Sequence, residues 1–161
     1  MRGTQARPGG ADAVPTRENV LLYLIERGVV SPEGEAMDLL RGIARLQAHD
    51  LDVVRAAEEF SISRRTLSRR FRVAHLPPPK QWLTLARALH AHRVILRGGC
   101  PKQAALTAGY ADQFTMSNSI FRISGLRPSA MRTVNWRELV DAWIERQQSR
   151  GALPASRPLQ C

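Results

Sequence analysis

Ala57–Phe71 reads AEEFSISRRTLSRRF, and Ala105–Ile120 reads ALTAGYADQFTMSNSI. Set side by side, the two stretches repeat. Leu67, Phe71, Pro79 and Trp82 recur 49 positions later as Met116, Ile120, Pro128 and Met131, and Thr66 and Ser68 recur as Thr115 and Ser117. Just upstream the shift is 48, which pairs Ala56, Ala57 and Ile62 with Ala104, Ala105 and Tyr110. One extra turn residue in the second copy accounts for the change. Internal repetition of this kind carries more information than any single motif.

Each copy meets the physical requirements of a helix-turn-helix unit. Two helices that cross steeply through a tight turn need a small residue at the crossing, Ala57 or Ala105. They also need a turn residue, Ser61 or Gly109, followed by an apolar anchor, Ile62 or Tyr110. The second helix then offers the core one stripe, Leu67 with Phe71 or Met116 with Ile120, and leaves its other faces free for a partner. A single helical hairpin with an alanine crossing is common and says little. Two copies around a basic field point to DNA.

Working outward, apolar residues recur at spacings of three and four almost everywhere, and no segment alternates with period two, so the fold class is all-α. A first helix is predicted over Arg17 to Arg27, closed by Gly28. Ser31 is predicted to cap a second, with Pro32 at its first position and Glu33 and Glu35 favouring its positive end. Asp50 to Phe60 reads as the next, and Ser63 caps Arg64 to Ala74. Pro77, Pro78 and Pro79 forbid continuation and restart the chain in a long helix to about Arg97, stopped by Gly98 and Gly99. Pro101 to Ala108 is short; Asp112 caps a helix through Ile123 that ends at Gly125; Pro128 starts another. Asn135 caps a last amphipathic helix with Trp136, Leu139, Val140, Trp143 and Ile144 on one face. Residues 1–16 and 150–161, rich in Gly, Pro, Ala and Ser, read as a disordered leader and tail. Between them lie a helical extension at 17–35, a double unit at 36–132 and the amphipathic helix at 133–149. Within the double unit, the first helix-turn-helix covers 51–74, the linker helix 79–97 and the second 101–124.

The 161 residues carry a formal net charge of +10, and that charge is local. Residues 1–60 hold ten acids and seven Lys/Arg, whereas Ser61 to Arg132 hold thirteen Lys/Arg and a single acid, Asp112. A field concentrated on the repeat suits a polyanion better than a merely solvated surface does. Cys100 and Cys161 lie far apart without a CxxC or a His-rich companion, so they read as free thiols in a reducing cytosol. The N-terminus lacks the apolar run of a secretory signal, and no run is long enough to span a bilayer. A cytoplasmic location, at the bacterial nucleoid, follows as an expectation.

These residues resemble the AraC/XylS family of bacterial transcription regulators, whose DNA-binding domain is a seven-helix, double helix-turn-helix arrangement. The resemblance rests on Ala57–Phe71, on Trp82, Leu83, Arg87, Ala91 and Ile95 in the linker, and on Ala105–Arg132 with its GY turn and G-x-x-P-S ending. It covers roughly residues 36–132. Leu76 stands where the first unit of the family usually has Gly, and Met116 and Ile120 replace the second unit's usual Phe pair. About thirty-five residues precede the match, too few for the effector-binding domain of most relatives, so the resemblance implies a stand-alone DNA-binding module or one severed from its sensor. By the same resemblance the base-contacting positions fall on Arg65, Ser68 and Arg69 in the first unit and on Gln113, Thr115, Ser117 and Asn118 in the second.

The chemistry of those residues suits the role. Arginine bridges guanine O6 and N7 with two hydrogen bonds, and Gln or Asn pairs with adenine, while Phe114 is placed to meet a thymine methyl. Phosphate contacts are expected from Arg64, Arg70, Arg72, Lys80, Arg87, Lys102 and Arg127, with backbone amides at the Ser63 and Asp112 caps. The linker helix spans about 27 Å at its usual rise per residue, comparable with the separation of successive major grooves on one DNA face. Double-stranded DNA is the expected partner, with RNA polymerase and a second copy of the chain, docked through Trp136, Trp143 and Ile144 of the terminal helices, as further candidates. No membrane, metal or cofactor is implied, and no ligand pocket is expected. Catalysis is not expected either. A transposase fragment would need clustered carboxylates, and His90 and His92 point to different sides of one helix. An interaction adaptor or anti-activator that keeps the fold without reading DNA is the remaining alternative.

Overall fold

The computed structural model describes residues 15–155. Eight α-helices follow one another: α1 Arg17–Glu26, α2 Glu35–Arg45, α3 Val53–Glu59, α4 Arg64–Val73, α5 Pro79–Leu96, α6 Pro101–Thr107, α7 Gln113–Ser124 and α8 Trp136–Ser149. Single 3-10 turns at Ala48–Asp50 and Pro128–Arg132 complete the order, and there is no strand among the described residues. The all-α double helix-turn-helix with extra terminal helices is therefore the fold.

Most helix ends obey local capping. Thr16, Ser63 and Asp112 each accept, through a side-chain oxygen, the amide of the third residue on, and Asn135 accepts that of Arg137, which satisfies donors that a helix start leaves open. Two predicted starts are corrected. α2 begins at Glu35, not after Ser31, because Gly34 adopts φ 103°, outside any helix and costly for a residue with a Cβ. The helix predicted from Asp50 begins at Val53. Asp50 belongs to the 3-10 turn, and Asp52 Oδ1 accepts the Arg55 amide at 2.9 Å. The expected leader lies outside the described residues except at its end, where Thr16 caps α1 and Pro15 is buried. The expected tail starts well inside the fold, since Leu153 is also buried.

α5 is the central strut. Trp82, Leu83, Leu85, Ala88, Leu89, Ala91, His92 and Ile95 are buried around much of its girth, as a helix packed on several sides requires. α2, α3 and α4 lean on it from one unit, and α6, α7 and α8 from the other. α8 closes the second side. Trp143 packs against Trp82 with ring centroids 4.6 Å apart and the rings tilted by 52°, and the Trp82 indole donates to the Pro77 carbonyl at 3.1 Å. Tyr23 of α1 meets Trp136 edge-on and donates to the Asp141 carboxylate at 2.8 Å, while Arg27 pairs with the same carboxylate at 2.9 Å. Burial and that carboxylate push the Tyr23 phenol up to about 12. Trp136, Trp143 and Ile144 are 1%, 0% and 2% exposed. The dimer surface expected of them is corrected accordingly: their stripe is spent on this chain's own core, and the terminal helices α1 and α8 pack on each other.

Candidate nucleic-acid interface

The repeat seen in the sequence is a repeat of backbone hydrogen bonds. In the first unit the Ile62 amide reaches the Ala57 carbonyl at 3.1 Å and the Ser61 amide reaches that of Glu58 at 2.9 Å. In the second, Tyr110 reaches Ala105 at 2.9 Å and Gly109 reaches Leu106 at 3.2 Å. This paired bonding closes a helix through one residue in the left-handed region. Ser61 holds φ 53° and Gly109 φ 79°. The crossing alanines Ala57 and Ala105 are both buried. The extra residue of the second copy is Ala111, between the anchor Tyr110 and the cap Asp112.

In α4, Leu67 and Phe71 point inward and are fully buried. Arg64, Arg65, Ser68, Arg69 and Arg72 are exposed on the other faces. Among the described residues, none of these four arginines has a carboxylate within 4 Å. Arg70 differs. It pairs with Glu35 of α2 at 2.6 Å and lies 5.8 Å from the centroid of the Phe60 ring, which removes it from the expected phosphate contacts. Phe60 itself sits on Gly42, where even one added carbon would collide with the ring.

In α7, Met116 and Ile120 are buried, while Gln113, Phe114, Thr115 and Asn118 are exposed, Phe114 to 75%. Such exposure of an aromatic ring on a helix face suits a surface that meets a partner. Ser117 is half-buried and donates its hydroxyl to the Gln113 carbonyl at 2.8 Å, so only its acceptor side is open. Asp112 holds the helix start. The Thr115 amide, 2.7 Å away, and the Thr115 hydroxyl keep its carboxyl below the usual range.

Lys80, Lys102 and Arg127 are exposed, Arg127 over the Phe121 ring at 5.5 Å. Arg87 is not available as expected. Its guanidinium donates to the Leu51 carbonyl at 2.5 Å and lies 5.7 Å from the centre of the Tyr110 ring, tying the break before α3 to the anchor of the second unit. No charge pattern in the sequence reveals this, because the acceptor is a backbone carbonyl 36 residues away.

One neighbour of α4 escaped the sequence. Gly151–Pro154 lies beside Ser68 and Arg72, and with His75, Leu76 and Pro78 it encloses a cleft of about 670 Å³. Leu153, apolar among small and polar residues, was the only signal of it. The His75 backbone, at φ 57°, explains why Leu76 can stand where glycine was expected, since the left-handed residue that ends α4 falls one position earlier.

Among the described residues no three His, Cys, Asp or Glu side chains gather where a metal ion could sit, and no helix is long and apolar enough to cross a membrane. Cys100 is exposed and unpaired with another cysteine; Cys161 lies outside the described residues. A family model described as a helix-turn-helix domain matches residues 56–133. No curated protein and no solved structure matches the chain.

Proposed function

Residues 56–133 are a DNA-binding domain of the AraC/XylS family of transcription regulators, and from that premise we propose that the chain reads double-stranded DNA by sequence, with α4 and α7 in successive major grooves. The observation that carries this reading is the α4 surface. Four arginines share it unpaired, while the fifth, Arg70, is turned to Glu35. Charges left without acids on a rigid helix are suited to an external polyanion.

In this reading Arg65 and Arg69 face guanines, Ser68 lies between them, and Gln113, Thr115 and Asn118 read the second groove, with Ser117 limited to accepting. Arg64, Arg72, Lys80, Lys102 and Arg127 bind phosphate and fix the register. The strut that joins the two units, α5, is about 27 Å long by the rise of an 18-residue helix. Arginine supplies the affinity of the first unit, and neutral side chains tune the choice of site in the second. RNA polymerase is a further candidate partner on surfaces that DNA leaves free.

Selection of bound duplexes from a random pool tests the reading. Two short half-sites about one helical turn apart are expected. Five phosphate-binding side chains predict that log affinity falls against log salt with a slope of about −4.5. A pool without enrichment, or a slope near zero, overturns the proposal.

A further inference from the structure

A cavity of about 140 Å³ lies between α1, α2 and α5, away from the surfaces assigned to DNA. Its wall is apolar: Leu21, Leu24, Leu40, Ile43, Trp82 and Leu89 line it. A dry cavity of about this size and lining holds a benzene-sized molecule. The titratable side chains at its edge are all basic. Arg17, His90 and Arg93 line it together with the Pro15 backbone.

The three groups are close enough to oppose one another. Burial, then Arg93 and Arg17, push the His90 imidazole below its ordinary value, and burial, then Arg97 and Arg17, lower Arg93. Among the described residues none of the three has a carboxylate within 4 Å. Each arginine is instead steadied by a backbone carbonyl. Arg93 donates to Pro15 at 2.6 Å and Arg17 donates to Ala44. A guanidinium has five donors in a fixed fork, so both keep N–H groups for another acceptor. An apolar chamber with two guanidiniums, Arg17 and Arg93, and no carboxylate beside them at one edge is complementary to a molecule with an apolar body and one negative end.

We propose that this cavity binds a small apolar monocarboxylate, its body among the leucines and its carboxylate held by Arg17 and Arg93. Carboxylate recognition by a guanidinium is strong because both partners are charged and the geometry permits two parallel bonds. α1 and α2 lie outside the helix-turn-helix match and α5 lies within it. An occupant would therefore pin the N-terminal helices to the strut that carries both units. The site stands independently of the DNA reading.

The test is a methyl-resolved NMR titration of the full chain with cyclohexanecarboxylate and with cyclohexylmethanol, a neutral probe of similar shape. The acid is expected to shift the methyls of Leu21, Leu24, Leu40, Ile43 and Leu89 saturably, and the alcohol to bind at least tenfold more weakly. Arg93→Gln, which keeps a donor for Pro15, should bring the acid down to the alcohol's affinity and leave the alcohol unchanged; Arg93→Lys should restore most of the preference. Ala86→Phe, at the cavity wall, should abolish binding of both while the circular dichroism of the helices persists. Equal affinity for acid and alcohol overturns the proposal. So does the absence of any shift with millimolar acid, the result expected if residues 1–14 or a second copy of the chain already fill the cavity.

Discussion

The two helix-turn-helix units share a backbone and a few small and polar residues, and differ in what backs them and in the faces they present. Both close their first helix with the same pair of hydrogen bonds and start their second from a capping side chain. Yet the first turns on Ser61 and ends α4 on His75, both at positive φ, where the second uses Gly109 and Gly125. The first is backed by polar ties to α2, through Arg70–Glu35 and Arg45–Glu59; the second is backed by α8, whose face toward the core is mostly apolar, with Trp136, Leu139, Val140, Trp143 and Ile144 buried. The outer face of α4 is rich in arginine throughout, whereas that of α7 is neutral over its first turns, Gln113 to Asn118, and carries its one arginine, Arg122, near its end. Geometry and recognition chemistry are thus separable: hydrogen bonds in the turn set the first, and side chains that point away from the core are free to set the second.

The largest effect should come from the backing. Trp143→Ala removes a fully buried indole and is expected to cost about 3–5 kcal/mol of stability in urea unfolding. Glu35→Ala cuts an ion pair whose partners are 38% and 46% exposed, so it should cost less than about 1 kcal/mol. Equal costs would break the contrast between an apolar and a polar buttress. Next comes recognition. Arg65→Ala with Arg69→Ala is expected to weaken binding to the selected duplex by about 3 kcal/mol, since each bidentate contact to a base is worth about 1–3 kcal/mol. Gln113→Ala with Asn118→Ala should lose less affinity and more discrimination between sites. If the second pair costs more affinity than the first, the assignment of roles is reversed.

A smaller effect sharpens the comparison of the turns. Gly109→Ala places a Cβ at φ 79°, with no close clash because the nearest atom is 3.6 Å away. The cost is then conformational, about 1–2 kcal/mol. Ser61→Ala, at the equivalent turn, should be near neutral, because Ser61 already carries a Cβ at φ 53°. Thermal unfolding of the two variants checks the difference.

The residues that were legible in the sequence act locally. Ser63, Asp112 and Asn135 cap helices three or fewer residues away, Gly125 ends α7, and the stripe of α8 is visible as spacing alone. What covers that stripe was not legible, because a period gives a face and not its neighbour. Hence Trp136 and Trp143 suggested a dimer where they fill the core. Arg70 and Arg87 looked like phosphate contacts because composition counts charge without direction. Glu35 and the Leu51 carbonyl, each about ten helical turns' worth of sequence from its arginine, decide where those two point. The cavity between α1, α2 and α5 escaped for the same reason: three separate amphipathic faces make it, and none signals it alone.

The smallest expected effect is a pH dependence on the second unit's side of the strut. His92 is fully buried on α5, and its Nε2–H donates to the Val134 carbonyl at 2.8 Å. Burial lowers its pKa, against the pull of hydrogen bonds to Val134 and Met131, which favour the charged ring. A base whose folded pKa lies below its unfolded value leaves the unfolded chain to bind protons first as pH falls. Stability is therefore complete above the unfolded value of about 6.5 and declines as pH drops below it. His90, lowered in the same direction, adds to the decline. His92→Gln, which keeps a donor for Val134, should flatten part of the acid limb in unfolding midpoints measured from pH 8 to 5. Because Val134 follows the 3-10 turn that links α7 to α8, the loosening should begin there. Hydrogen exchange at pH 5 should show α7 and α8 amides losing protection before those of α4, and the opposite order would place the acid sensitivity in the first unit and sink this origin for it.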